Sequence, residues 1–200
     1  MNLHTEVFRP RGSIFLAGLM WLVGAIFVGV GVASTREFSS IPVGLTVAFF
    51  GYWLFWYPVV QLGIDGVTVR NPMRTITVAW SALVTVDTKY ALTLVTETGK
   101  YTAWAAPAPS ALESHLSKPA DAKDLPANSY GMGGLLRPGD LKNTNSGAAA
   151  FLVRSYWEQL AEAGRLGLPP QGKAAVSVRF NTALVIAAVV LVLLSAWSLS

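Results

Sequence analysis

Cysteine is absent from all 200 residues. That excludes a structural disulfide, a thiolate metal site and a cysteine nucleophile. Histidine occurs twice, at His4 and His115, in different segments and with no second ligand at metal spacing, so no metal site is expected. Charge is scarce at 13% of residues, and it is missing from three apolar blocks, Ser13–Ala33, Ile41–Leu62 and Asn181–Leu199. Each block is about as long as a bilayer-spanning helix must be. Without an Asp, Glu, Lys, Arg or His, these blocks lack the marks of a proton relay or an ion pathway, which moves the expected function outside the bilayer or to contacts with partners. What is plentiful is apolar surface, 52% of residues, more than an ordinary soluble domain carries.

These observations predict an α+β membrane protein with three transmembrane helices and a small antiparallel-sheet module. Residues 1–62 are an N-terminal segment and a two-helix transmembrane hairpin, 63–172 a soluble module, and 173–200 the third transmembrane helix. Arg9 and Arg11 precede the first block, whereas the connection Ser34–Ser40 holds one Arg and one Glu. The positive-inside bias therefore places the N-terminus in the cytoplasm. Residues 63–180 follow it there with 12 of the 15 Lys and Arg, Lys173 and Arg179 flanking the last block, and the C-terminus ends outside. The expected location is the inner (plasma) membrane, multi-pass. A cleaved signal peptide is the competing reading of the N-terminus, but the apolar run exceeds the roughly 7–15 residues of a signal h-region.

Ala25, Gly29 and Ala33 form a small-residue stripe at i, i+4, i+8 in the first block, and Ala183 and Ala187 a shorter one in the third. Such stripes let another helix backbone approach closely. They pack the chain's own helices together or meet a partner's. The second block crowds Phe49, Phe50, Tyr52, Trp53, Phe55, Trp56 and Tyr57 into its second half. Because that cluster begins near mid-membrane, part of it is expected to face protein or lipid tails. Ala25, Gly29, Ala33, Trp53 and Trp56 are thus the candidate membrane partner face.

From Asp65 the pattern turns alternating. Asp65–Arg70, Thr75–Trp80, Leu83–Thr88, Leu92–Glu97 and Tyr101–Ala105 read as five short strands, broken by the turn sequences Asn71-Pro72 and Thr98-Gly99-Lys100. A meander of this kind needs a covering layer. The helix expected over Gly147–Gly164 supplies it, with Phe151, Leu152, Tyr156, Trp157 and Leu160 at helical spacing and Arg154 within i+4 reach of Glu158. Between sheet and helix lies a Pro/Gly-rich insertion, Ala106–Ser146, in which Ser110 and Glu113 form a capping-box pattern for a short helix over Ala111–Ser117. Leu168–Lys173, with Pro169-Pro170, reads as a linker to the third block.

The run from Asp65 to Arg74, with Gly66, Val69, Arg70, Asn71, Pro72 and Arg74 in the pattern G-x-x-V-R-N-P-x-R, followed by Val78-Ala79-Trp80 and by Thr98-Gly99-Lys100 with Trp104, resembles the bacterial pleckstrin-homology (PH-like) domains of small actinobacterial membrane proteins. The resemblance spans about 45 residues strictly. It implies a half-open barrel of antiparallel strands capped by a C-terminal helix, and binding or scaffolding instead of catalysis. Five strands are readable where a full pleckstrin-homology fold has seven, which leaves the other two inside the insertion or missing.

No catalytic constellation accompanies this fold. Asp121 and Asp124 flank Lys123 in a stretch that reads as a solvated turn, and no serine has a G-x-S-x-G context. Gly131-Met-Gly-Gly134 with Arg137 lacks the GK[ST] ending of a phosphate loop. A net charge of +4 spread along the chain gives no nucleic-acid footprint. Arg70 and Arg74 flank one hairpin turn, and Lys100 lies in another; together they are the candidate lipid- or partner-binding residues, attracted to an anionic leaflet by about 1 kcal/mol each. The expected function is that of a non-enzymatic accessory or assembly subunit of a larger membrane complex, of respiratory-chain or cell-envelope type. Its partners would be the subunits of that complex and lipids, with no cofactor and no small-molecule substrate. An anionic-lipid sensor is the alternative.

Overall fold

The computed structural model describes residues 5–34, 38–109, 138–141, 143–164, 166 and 175–200. Along the chain these form β1 (Glu6–Phe8), α1 (Arg11–Ala33), α2 (Ser40–Gly51), β2 (Val59–Gly63), β3 (Gly66–Arg70), β4 (Arg74–Ala79), β5 (Leu83–Asp87), β6 (Ala91–Thr96), β7 (Gly99–Pro107), α3 (Asn145–Glu162), β8 (Val176–Phe180) and α4 (Thr182–Leu199). They divide into two compact units. One comprises Met1–Phe8, Val59–Arg70 and Ile76–Val178, and the other Arg9–Pro58, Asn71–Thr75 and Arg179–Ser200.

The first unit is an α+β module. A five-stranded sheet runs in the order β1-β2-β3-β4-β8 and a three-stranded sheet in the order β5-β6-β7. Pairings β1–β2, β2–β3, β5–β6 and β6–β7 are antiparallel, with Val60 opposite Val69 and Leu94 opposite Tyr101. Val and Leu alternate with Thr and Gln along these strands, so one face of each sheet is apolar. Val60, Leu62, Val67, Val69, Ile76 and Val78 meet Leu92, Leu94 and Ala103 in a single core, which α3 closes with Ala149, Ala150, Val153 and Leu160. Trp80 stacks on Tyr156 with ring centroids 5.4 Å apart and planes 13° from parallel. The Thr144 hydroxyl caps α3 by accepting from Gly147 N at 3.0 Å, one of the donors that a helix start leaves free.

All five strands read from the sequence are present, each within two residues at its start. Three strands that the sequence did not reveal lie in the flanks. β2 is the end of the second apolar block, β1 comes from the N-terminal segment, and β8 precedes the third block. β7 extends to Pro107, and a single 3₁₀ turn, Pro138–Asp140, packs against the module, so both ends of the insertion are built into the fold. The short helix expected over 111–117 and the linker 168–173 lie outside the described residues.

The second unit is helical. α1 (23 residues) and α4 (18 residues) are long and apolar enough to cross a bilayer, but Ser40–Trp56 is shorter. Two such helices, not three, are therefore found among the described residues. The second block is divided: α2 continues through a π turn, Tyr52–Trp56, closed by Tyr57 N–H donating to Tyr52 O at 2.8 Å. Pro58 then follows, and Val59–Gly63 becomes a strand. Val59, Val60 and Leu62 are apolar because they fill a sheet core, and apolar content alone does not separate a buried strand from a spanning helix. α1 and α2 lie antiparallel and close. A Cβ at Gly24 would sit 2.7 Å from the Gly44 carbonyl oxygen, and one at Gly51 would sit 2.7 Å from the Met20 Cβ. Between α2 and α4, the Thr46 and Ser195 hydroxyls pair at 2.8 Å, and Ser198 Oγ donates to Ser39 O at 3.2 Å.

Candidate functional site

The turn between β3 and β4 carries two of the three basic residues singled out from sequence. Asn71 N–H donates to Arg74 O at 2.9 Å, closing the turn around Pro72 and Met73. The remaining polar groups of the turn are taken up within the helical unit. Asn181 Nδ2 donates to Asn71 O at 2.9 Å and to Pro72 O at 3.2 Å. Its backbone N–H donates to Met73 O at 2.9 Å, and its Oδ1 accepts from Thr75 Oγ1 at 3.2 Å. Trp53 Nε1 donates to Pro72 O at 2.9 Å, and the Tyr57 and Thr75 hydroxyls lie 3.3 Å apart. A buried Pro carbonyl needs such donors, and a Pro-containing turn exposes its carbonyls at fixed angles because φ is locked. The tip is thus held from several directions while the Arg74 side chain remains exposed.

Arg70 ends β3, half-buried, opposite Val59. Lys100 is exposed on β7 of the other sheet, opposite Val95. The adjoining turn residues Glu97 and Thr98 line a cleft of about 570 Å³ with Ser81, Ala82 and Val178. Ser81 and Ala82 follow the end of β4, whereas Arg74 begins it. The structure therefore places Arg70 and Arg74 at one turn and Lys100 at a different one.

The candidate partner face is divided in a similar way. Ala25, Gly29 and Ala33 are exposed on α1, and no atom of the described residues lies within 4 Å of a Cβ built at Gly29. The internal contact uses Ala17, Gly24 and Gly31, the buried residues of α1, and Ala187 of the other small-residue pair is only partly exposed. Trp53 is 6% exposed and committed to Pro72, so it does not belong to an outer face. Trp56 is half-buried under the Arg9 guanidinium, whose Cζ lies 4.3 Å from the ring centroid, and beside Trp21 at 5.4 Å.

A buried ionic network was not foreseen. Arg154 Nη1 donates to Asp140 Oδ1 at 2.8 Å and Nη2 to Val86 O at 2.9 Å, while Thr88 Oγ1 donates to the same carboxylate oxygen at 2.9 Å. Arg154 and Asp140 are each 4% exposed. The partner expected for Arg154 on sequence spacing, Glu158, is replaced by a residue in the stretch read as an insertion. Ser146 Oγ donates to Gly139 O at 2.8 Å, and any Cβ at Gly139 would collide with the Thr88 carbonyl oxygen. The only signal available in the sequence was Gly139-Asp140 shortly before the helix start, which is too common a pair to mark a salt bridge.

Burial, and after it the charge of Glu6, pushes the Tyr156 phenol above its ordinary value of 10.0. Its hydroxyl has no hydrogen-bond partner among the described residues. His4, His115, Asp121, Asp124 and the 131–134 glycines lie outside the described residues.

Residues 58–128 match the model of the bacterial PH domain family. That segment of the chain is a bacterial PH-like domain, beginning at Pro58 where the second block leaves its helix. No curated protein and no solved structure matches the chain.

Proposed function

We propose that the PH-like domain of this chain is a membrane-anchored, non-enzymatic binding module, and that the protein serves as an accessory or assembly subunit of a larger membrane complex. Domains of this class are binding modules, and the two long apolar helices support membrane association. The observation that carries the subunit reading is the unused stripe on α1. Ala25, Gly29 and Ala33 are exposed, and the packing of α1 on α2 uses a different set of small residues. Lipid tails gain nothing from a stripe of small residues, whereas a second helix backbone does. The positions of Arg9 and Arg11 before α1 and of Arg179 before α4 support a cytoplasmic N-terminus and module.

The test is affinity purification of the tagged full chain in mild detergent, followed by native electrophoresis and mass spectrometry. A stoichiometric complex is expected. Gly29→Leu should release it while leaving α1 on α2, since no atom of the described residues lies within 4 Å of a Cβ at Gly29. A lone species, or a complex that ignores Gly29→Leu and Ala25→Leu, overturns the reading. Sidedness is checked with single cysteines placed in the cysteine-free chain and labelled from either side.

A further inference from the structure

Apart from its aromatics and hydroxyls, the helical unit has one conspicuous chemical asymmetry. Among its described residues there is no Asp or Glu, and its only charges are Arg9, Arg11, Arg74 and Arg179. All four gather at one end. Arg11 is the first residue of α1, and Arg9 stands two residues before it over Trp56, at the far end of the π turn. Arg179 stands two residues before Asn181, which binds the turn that contains Arg74. Arg11, Arg74 and Arg179 are exposed, and beside them Met73 and Phe180 are 62% and 73% exposed. Arg9 is the inner member. Its guanidinium is stacked on an indole, and its Nε is buried with no hydrogen-bond partner among the described residues.

We propose that this arginine collar is a binding site for the phosphates of anionic phospholipids, with Met73 and Phe180 entering the acyl region beneath them. The inference rests on the reading that the helices lie in a bilayer. The chemistry is specific in three ways. A guanidinium fork matches a phosphate with parallel N–H donors. Stacking on Trp56 fixes the plane of Arg9 before a ligand arrives, so less side-chain entropy is lost on binding. The Arg9 Nε–H is a donor for which the described residues supply no acceptor, and a phosphate oxygen is an acceptor of the right charge. The site differs from the Arg70–Arg74–Lys100 set: only Arg74 is common to both, and Arg9, Arg11 and Arg179 stand in place of Arg70 and Lys100.

The experiment uses the full chain reconstituted into vesicles of equal phosphatidylglycerol and phosphatidylcholine, then released for native mass spectrometry. Alkaline carbonate extraction of the same vesicles is the control. The wild type should carry phosphatidylglycerol well above its share of the vesicle. Changing all four arginines to Gln should remove that excess, each contributing roughly fivefold. Lysine at positions 11, 74 and 179 should preserve most of it, but Arg9→Lys should lose part, because an ammonium reproduces the charge without the fork. Equal retention of the two lipids by the wild type overturns the proposal. So does an undiminished excess in the four-Gln variant, and so does a Lys variant as poor as the Gln variant. If carbonate extracts the wild-type protein, the bilayer reading fails instead. If the four-Gln variant does not insert, the wild-type lipid ratio and the Arg9→Lys comparison decide.

Discussion

Arg154 is the residue whose removal should do most damage to the module. It is 4% exposed, and its charge is met by one carboxylate, Asp140 at 2.8 Å, and one carbonyl, Val86 at 2.9 Å. Arg154→Met keeps the aliphatic bulk but strands the Asp140 carboxylate in a site where Thr88 Oγ1 is its one remaining donor among the described residues. Breaking a buried pair by removing one partner costs about 3–5 kcal/mol. For a module of this size that corresponds to a fall in Tm of at least about 12 °C, a large share of a typical domain's total stability. The double variant Arg154→Met/Asp140→Leu removes both charges together and should be more stable than Arg154→Met alone, because what the single change exposes is an uncompensated ion and not merely a lost attraction. Thermal unfolding of the detergent-solubilised full chain is followed by near-ultraviolet circular dichroism, to which the Trp80–Tyr156 stack contributes. An Arg154→Met variant within about 1 kcal/mol of wild type, or a double variant with simply additive losses, refutes the claim that this pair is buried and mutually dependent.

Three further outcomes follow from local geometry. Thr144→Ala should lower module stability by about 1 kcal/mol by removing the α3 cap, and Gly147→Ala by about 1–3 kcal/mol, because its Cβ would meet the Leu141 carbonyl oxygen; denaturant midpoints measure both. Asn181→Ala removes the side-chain donors to Asn71 O and Pro72 O and should loosen the turn by about 2 kcal/mol, read as roughly 30-fold faster trypsin cleavage after Arg74 under native conditions. Tyr156→Phe should be neutral or slightly stabilising, since it deletes a buried hydroxyl with no partner. With Tyr156 present, the folded pKa lies above the unfolded one. Stability should therefore be unaffected by this group below pH 10 and fall as pH rises from there toward the folded value; Tyr156→Phe should flatten that alkaline decline in a pH series of unfolding curves.

The module's strands were legible because β3 to β7 each alternate and end at turn residues, and α3 was legible from its apolar spacing. The flanking strands were hidden for different reasons. β2 follows an apolar helix with only Pro58 and Tyr57 between, so one run of hydropathy covers a lipid-type segment and a core strand. β1 has three residues, too few for a period to declare itself, and β8 runs into α4, the helix of the third apolar block, with only Asn181 between. Among the described residues, the strands beyond the five that the sequence reveals are β1, β2 and β8, all in the flanks of the insertion.

Site residues were legible as chemistry but not as groupings. Arg70 and Arg74 are legible together because one turn joins them, whereas Lys100 joins the set only on the expectation that its own turn lies nearby. Turns of neighbouring hairpins have no obligation to share an end of a sheet. Arg154 was read through its own helix, where Glu158 is one turn away, yet the buried carboxylate came from Asp140, close in sequence but outside the helix. Exposure decides between such partners: a surface i,i+4 pair contributes a few tenths of a kcal/mol, whereas a buried guanidinium without a carboxylate is untenable. The same reasoning separates the two small-residue sets of α1. A Cβ at Gly24 would meet Gly44, which makes Gly24 an internal contact, and Ala25, Gly29 and Ala33 lie exposed on another face of the helix.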